Sequence, residues 1–512
     1  MGSIYSRRQF VIGAMVLGGS LALTGCAPQP ESKKADGAPT QGEATQADIV
    51  VIGSGLAGLA CSASAAQQGA KVILVDKAPF LTSTFLTSKG NVSIAQVAEN
   101  QADWRYDSET PDTMDAFTGR YRELTEIGKV DAPYPDYSRM QHLMEESCAT
   151  IAWVEQMGVS FEKSFTKEMV GTDTVKPDTS ADPSTEAGVQ VANVFAAELE
   201  RLGVQTMVST EAKELIMDGD AVVGVKVEGP SGAQELRAGS VVLATGGFGG
   251  SADYCDSLVP AINKMGFQYL GNAMNTGDGM TMASAIGAAL YEDPWVIPNV
   301  IMPTRALTKA DAGFKKLCDT GMDGAATSAK MLVDAKGARF VNEAAPVTAL
   351  ATSMTDNEAG PYYVLFDSSN ADVAAVIEKG LSTDDVLKAD TIDELAAAAG
   401  AAELAGSFEA YQQAAGTGVD EAFGKKADML VPYGDGPFYL VSFVPSYVAT
   451  MGGVKTDASC QAITESGAVI PGLFVVGEAT HRFMYNRSFV RHCSNSSALT
   501  MGRLTGAALA TA

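Results

Sequence analysis

The 512-residue chain carries 61 acidic against 36 basic side chains, a formal charge of -25, and such a surface repels the phosphates of nucleic acid. Its seven cysteines include no CxxC, no CxxCH and no cluster with the three histidines, which argues against haem attachment, iron-sulfur and zinc sites. The length exceeds what one growing hydrophobic core accommodates, so two domains are expected.

The amino terminus is read as a targeting segment. Ser6-Arg7-Arg8-Gln9-Phe10 leads into an apolar run, Val11 to Leu23, too short to span a bilayer comfortably, and then Leu23-Thr24-Gly25-Cys26. The paired arginines resemble a twin-arginine export signal, and the last four residues resemble a lipobox. Residues 1–26 are therefore expected to direct export, with Cys26 lipidated and the chain anchored to the outer face of the cytoplasmic membrane. Residues 27–46, rich in Pro, Gly, Ala, Thr and Gln, read as a flexible tether.

Asp48-Ile49-Val50-Val51-Ile52 is a β-branched run that opens directly into Gly53-Ser54-Gly55-Leu56-Ala57-Gly58 and a small-residue helix, Leu59 to Gln68. Gly53 permits the tight turn, Gly55 lets backbone amides reach a pyrophosphate, and Gly58 lets the helix pack against the strand. A second strand, Lys71 to Val75, ends at Asp76, placed to accept from a ribose hydroxyl. Further on, Val241-Val242-Leu243-Ala244-Thr245-Gly246-Gly247-Phe248 and Gly472-Leu473-Phe474-Val475-Val476-Gly477-Glu478 repeat the pattern of apolar strand and glycine. A cofactor served by three distant segments must be long, which favours FAD over NAD. Asn275-Thr276-Gly277-Asp278-Gly279 turns the chain before a helix near Met280.

With Arg339-Phe340-Val341-Asn342-Glu343, Gly436-Pro437-Phe438-Tyr439, Thr450-Met451-Gly452-Gly453 and Gly502-Arg503, residues 47–512 resemble the FAD-dependent fumarate reductase family. That family includes soluble fumarate and urocanate reductases and is related to ketosteroid dehydrogenases. The resemblance implies an α/β fold: a doubly wound, Rossmann-like FAD domain (47–290 and 438–512) interrupted by an α+β capping domain (291–437). The cap would include an Ala-rich helical stretch, Thr391 to Gln413. It also implies FAD contacts from Gly53, Gly55, Leu56, Ala57, Gly58, Asp76, Lys77, Ser88, Ala212, Ala244, Thr245, Gly246, Asp278, Gly477, Glu478, Ser496 and Ser497. Pro79 to Ala95 holds no histidine for a covalent link, so FAD is expected to be non-covalent. No internal haem or FMN domain precedes the FAD domain in this sequence, so an external electron donor, a protein or a membrane redox chain, is implied.

The cationic residues that fumarate reductases use are largely replaced. Ala449 and Asn299 stand where the family has histidines, and Ala344-Ala345-Pro346-Val347 where its proton-donating arginine is expected. The substitute is sought in His481-Arg482-Phe483-Met484-Tyr485-Asn486-Arg487-Ser488-Phe489-Val490-Arg491-His492. Asn486-Arg487 matches the family's substrate-binding pair, and either Arg487 or Arg491 could clamp a carboxylate or polarise a carbonyl. His481 and Arg482 are expected at the surface or paired with acids. Tyr485, Tyr447 and Tyr439 are alternative proton donors, each more readily read as packing, with Tyr485 the one to test. Ser494 to Ser497 would bring backbone amides to the flavin at the start of the last helix.

The leading expectation is a reductase that transfers hydride from flavin N5 to an alkene conjugated to a carboxylate or ketone, a small organic electron acceptor other than fumarate. The alternatives are a dehydrogenase or oxidase of a saturated ketone, acid or amine, and a non-catalytic flavin electron carrier.

Overall fold

The computed structural model describes residues 45–81, 92–95, 113–126, 130–162, 173–182, 185–317, 329–345, 350, 353–354, 360–490 and 492–511. The export signal, Cys26 and nearly all of the tether lie outside the described residues. Among the described residues no helix is long and apolar enough to cross a membrane.

The first of two large sheets has a parallel spine. Val469–Val475, Gly232–Leu243, Thr45–Ile52, Val72–Val75 and Gln205–Met207 lie side by side in that order. Val50, Val51, Ile73, Leu74, Val241 and Val242 are fully buried, as strands covered on both faces require. The helix Leu56–Gln67 packs on this sheet, and Cys493–Ala510 packs against that helix. A hairpin, Glu211–Asp218 with Ala221–Gly229, runs antiparallel into Gly232–Leu243, and Gln461–Ile463 closes the opposite edge. The first strand already begins at Thr45, paired with Leu236, inside the stretch read as tether.

The second sheet is built around one long strand, Phe438–Met451. Its first half lies between Tyr362–Asp367 and Val386–Ala389, and its second half pairs with Trp295–Pro303 and Gln268–Tyr269. Alternate residues feed separate cores. Tyr439, Val441 and Phe443 pack with Tyr362, Val364 and Phe366, whereas Phe438 and Leu440 pack with Leu365, Leu395 and Tyr411. The Ala-rich stretch forms two helices, Ile392–Ala399 and Leu404–Thr417, because Gly400 ends the first in a left-handed turn with φ 66°.

Beside this second core, Arg339 donates to Glu343 at 2.9 Å and to Asp420 at 2.8 Å, and Lys425 donates to Glu343 at 3.1 Å. All four side chains are buried, so each charge depends on its partners. The Arg339 to Glu343 run therefore serves the architecture of the second sheet. Near its distal end the long strand leaves that core and reaches the edge of the first sheet, where Thr450 meets Glu478.

Candidate functional site

Ile52, Leu243 and Val475 end three neighbouring parallel strands, so the segments that follow them meet along one edge although far apart in sequence. Ligands of open parallel sheets bind outside this carboxyl edge. Gly53 has φ +101°, and a Cβ there would stand 2.4 Å from the Ala244 carbonyl oxygen; a Cβ on Gly58 would stand 1.9 Å from the Gly53 oxygen. The protein's own packing demands these two glycines. Gly55 differs, because its Cβ would meet only the Ala244 oxygen, at 3.7 Å. Space is left over Gly55, and it heads the helix Leu56–Gln67 with no side-chain cap, so the first amides of that helix, including those of Leu56 and Ala57, are available to an anion.

Asp76 braces the same turn. Its Oδ2 accepts from the Ser54 amide and hydroxyl, both at 2.6 Å, and its Oδ1 from the Ala78 amide at 2.8 Å. Burial raises the pKa of this carboxyl, against those hydrogen bonds and the charge of Lys77. A carboxylate accepts at about four positions, so capacity for a ribose hydroxyl remains. Lys77 donates to Asp278 and to Thr276, each at 2.6 Å, so Lys77 and Asp278 hold one another at the rim. Thr245 lies against Gly279, Gly246 against Asn275, and Gly477 against Ala57. Ala212 is buried in the hairpin opposite Val227. Ser88 lies outside the described residues.

Glu478 ties the two sheets together. Its Oε1 accepts from the Thr450 amide at 2.8 Å and hydroxyl at 2.9 Å, and its Oε2 from Asn275 at 3.4 Å. Burial pushes its carboxyl up to about 7, although hydrogen bonds from Thr450 and Gly247 favour the charged form. A folded-state pKa above the unfolded one gives a contribution that is full below the ordinary glutamate range and is lost as pH rises through about 7. Glu478→Gln is therefore expected to flatten the fall in melting temperature between pH 5 and pH 8. Parallel pH profiles for wild type and variant would contradict the assignment.

The segment after Glu478 departs from the surface placement expected of its first two cations. Both His481 and Arg482 are buried, and neither forms an ion pair among the described residues. His481 Nε2 bonds to the Ser497 hydroxyl at 3.1 Å, and burial pulls the imidazole down to about 4, so it is neutral at pH 7. Arg482 donates from Nη1 to the Tyr485 carbonyl at 2.6 Å and to that of Asn486, and its guanidinium lies 4.7 Å from the centre of the Tyr134 ring. The cause is local: the short turn Gly477–Met484 folds back under the Thr450-Met451-Gly452 strand end, where the Arg482 amide donates to the Gly452 carbonyl.

Arg487 is half-buried, with its guanidinium 4.1 Å over the Trp295 ring. Asn486 is spent on structure, bonding the backbone of Val130 and Tyr134. Arg491 lies outside the described residues, as do Pro346, Val347 and the side chain of Asn299. Ala449, opposite Ile297, presents a small side chain close to Trp295 and Met451, which pair in the same ladder.

Tyr485 is fully buried, shares a 2.7 Å hydrogen bond with the Ser494 hydroxyl and stacks on Tyr121; burial raises its pKa further above the tyrosine range. Tyr447 is used in packing, bonding the Gly249 carbonyl at 3.2 Å. Tyr439 faces the second sheet's own core and donates to Glu378, so it is not brought to this edge. Ser497 and Ser496 open the last helix, and the buried Ser496 hydroxyl has no hydrogen-bond partner among the described residues. Sequence reading missed Ser54, Asn275, Trp295 and Tyr121. Ser54 and Asn275 lay inside turns read from the sequence but were given no role, and Tyr121 carried a periodic signal, lying four residues from Phe117 and from Thr125 on the buried face of Met114–Thr125.

Residues 48–497 match the family model described as FAD binding domain. The chain belongs to this family. Among curated relatives, it is 27% identical over 446 residues to a probable fumarate reductase, Ifc3, of Shewanella frigidimarina, covering 86% of this chain and 70% of the relative. It is 25% identical over 481 residues to urocanate reductase of Eggerthella lenta, covering 91% and 75%. Similarity extends to a 3-oxosteroid 1-dehydrogenase of Mycolicibacterium smegmatis, 24% identical, covering 85% and 92%. The fold matches the open conformation of a flavocytochrome c3 fumarate reductase, with TM-score 0.66, 23% identity and 95% and 85% of the two chains covered. It also matches a ketosteroid Δ1-dehydrogenase from Sterolibacterium denitrificans, with TM-score 0.71, 18% identity and 91% and 100% covered.

The protein is an FAD-dependent oxidoreductase with the mixed α/β architecture of the fumarate reductase and ketosteroid dehydrogenase folds. The structure accommodates the cofactor on its own terms. The space above Gly55, the uncapped helix amides beside it and the orphaned Ser496 hydroxyl offer sites for a long dinucleotide.

Proposed function

We propose that this flavoenzyme reduces a carbon-carbon double bond activated by a carboxylate or ketone, with electrons from an external donor. The observation that carries the reading is Arg487, its guanidinium held over the Trp295 ring in the loop after Glu478, close to where the long strand of the second sheet meets the first. FAD, when bound, supplies the hydride. Arg487 would bind the conjugated oxygen and stabilise the negative charge that develops there. Tyr485, two residues before Arg487, buried beside Ser494 and uncharged at neutral pH, would hold a proton for the neighbouring carbon.

The test is anaerobic reoxidation of the photoreduced protein by a panel of enoates and enones. Rapid bleaching reversal by one or more alkenes is expected. Reduction of the oxidised protein by saturated ketones would instead establish the dehydrogenase direction, which the 3-oxosteroid dehydrogenase relative makes the second reading. Response to neither class would leave an electron carrier.

Fumarate itself is expected to turn over at least tenfold more slowly than the best acceptor, because Ala449 supplies no cation for a second carboxylate, a loss of at least about 1.4 kcal/mol in transition-state binding. Comparable turnover with fumarate would refute this. FAD should be non-covalent, since Pro79 to Ala95 lacks histidine, and acid precipitation should release it into the supernatant. Export by the twin-arginine route and anchoring through Cys26 complete the proposal; Cys26→Ser should free the protein from the membrane fraction.

A further inference from the structure

Arg482 has no counterpart among the residues used so far. It is completely buried, and its Nε and Nη2 atoms have no hydrogen-bond partner among the described residues. It forms no salt bridge among the described residues; Glu292, which meets the Tyr134 hydroxyl, is engaged there and by Lys455, and Asp293, whose charge acts on the guanidinium, is exposed. An arginine stays protonated in such a place, and among the described residues no acid pairs with it directly. The like charge of Arg487 acts on it, which places the two guanidiniums within electrostatic reach. Each lies on its own ring, Arg482 on Tyr134 and Arg487 on Trp295. Two mutually repelling cations held apart on aromatic faces, in a chain of charge -25, make a local inversion of the protein's field. Arg482 also grips the backbone before Arg487 through the carbonyls of Tyr485 and Asn486.

We propose that Arg482 is a specificity-determining positioning residue: it sets the backbone that aims Arg487 and adds a second fixed positive charge, so that the site selects molecules bearing a carboxylate over their neutral esters. This narrows the substrate class of the reductase reading to enoates and rests on that reading for its catalytic meaning. An Arg482 with no part in carboxylate recognition, neither aiming Arg487 nor acting by its own charge, would weaken acid and ester alike. A charge that acts on the ligand weakens the acid alone.

The experiment titrates the oxidised, FAD-loaded protein with acrylate, crotonate and cinnamate and with the methyl ester of each, following the flavin absorbance. Wild type should bind acids on the order of tenfold more tightly than esters, the scale of one partly screened unit charge. Arg482→Met should erase that preference, whereas Arg482→Lys should keep most of it. A wild type without acid preference overturns the proposal whether or not the methionine variant folds. An acid preference unchanged in Arg482→Met overturns it equally. If the preference behaves as expected but no alkene reoxidises the reduced flavin, the reductase reading falls and the role of Arg482 in anion selection stands.

Discussion

Arg487→Lys is expected to retain FAD and to lose turnover by about 100-fold, the scale measured when one donor to a developing oxyanion is removed. The guanidinium lies over the Trp295 ring, and lysine keeps the charge but not the planar fork of donors. Steady-state kinetics on the best acceptor separate two roles. A fall in kcat with KM held marks an interaction made only in the transition state, whereas a rise in KM with kcat held marks uniform binding of a carboxylate. Full activity would make the contact structural. Tyr485, to which the proton is already assigned, would then be the side chain left to test, because Tyr447 is committed to Gly249 and Tyr439 to the other core. Arg491→Lys is the matching control, since the same sequence argument applies to it.

Gly55→Leu should yield a folded protein without flavin. A Cβ at Gly55 makes ordinary contact with the Ala244 oxygen at 3.7 Å, so the backbone tolerates a side chain there, and its outer atoms would occupy the approach to the helix amides. Gly58→Leu should behave differently, because its Cβ would overlap the Gly53 oxygen at 1.9 Å and force the helix off the strand. The flavin-to-protein absorbance ratio and the thermal melt, read together, distinguish the two. Normal flavin content in Gly55→Leu would remove the pyrophosphate from this turn; a melt lowered as far as that of Gly58→Leu would make Gly55 a packing glycine.

The nucleotide turn was legible because its determinants are local. The β-branched run ending at Ile52, the glycines and the acid after Val75 are all within a strand-turn-helix-strand unit, and backbone sterics act over such distances. The second and third glycine strands were equally readable as strands. That they lie beside the first is a property of the parallel ladder, in which Val241 pairs with both Val50 and Leu473.

Burial of single polar residues was not legible. Nothing in the pattern around His481 and Arg482 distinguishes a solvated pair from an interior one, since a charged side chain in a short turn normally faces water. The strand end at Gly452 and the Tyr134 ring, from a segment more than three hundred residues earlier, convert that turn into interior. Likewise Glu478 could be read as a cofactor residue, but its partnership with Thr450, and with it the raised pKa, exists only because the long strand of the second sheet reaches the first.

By itself, then, the amino-acid order determined the family, the cofactor class and the glycine geometry, through steric rules that act between near neighbours in the chain. Which cations stand exposed, which are buried without an acid, and which tyrosine is committed to packing were decided by the tertiary structure, because desolvation and charge pairing depend on atoms brought together from distant segments.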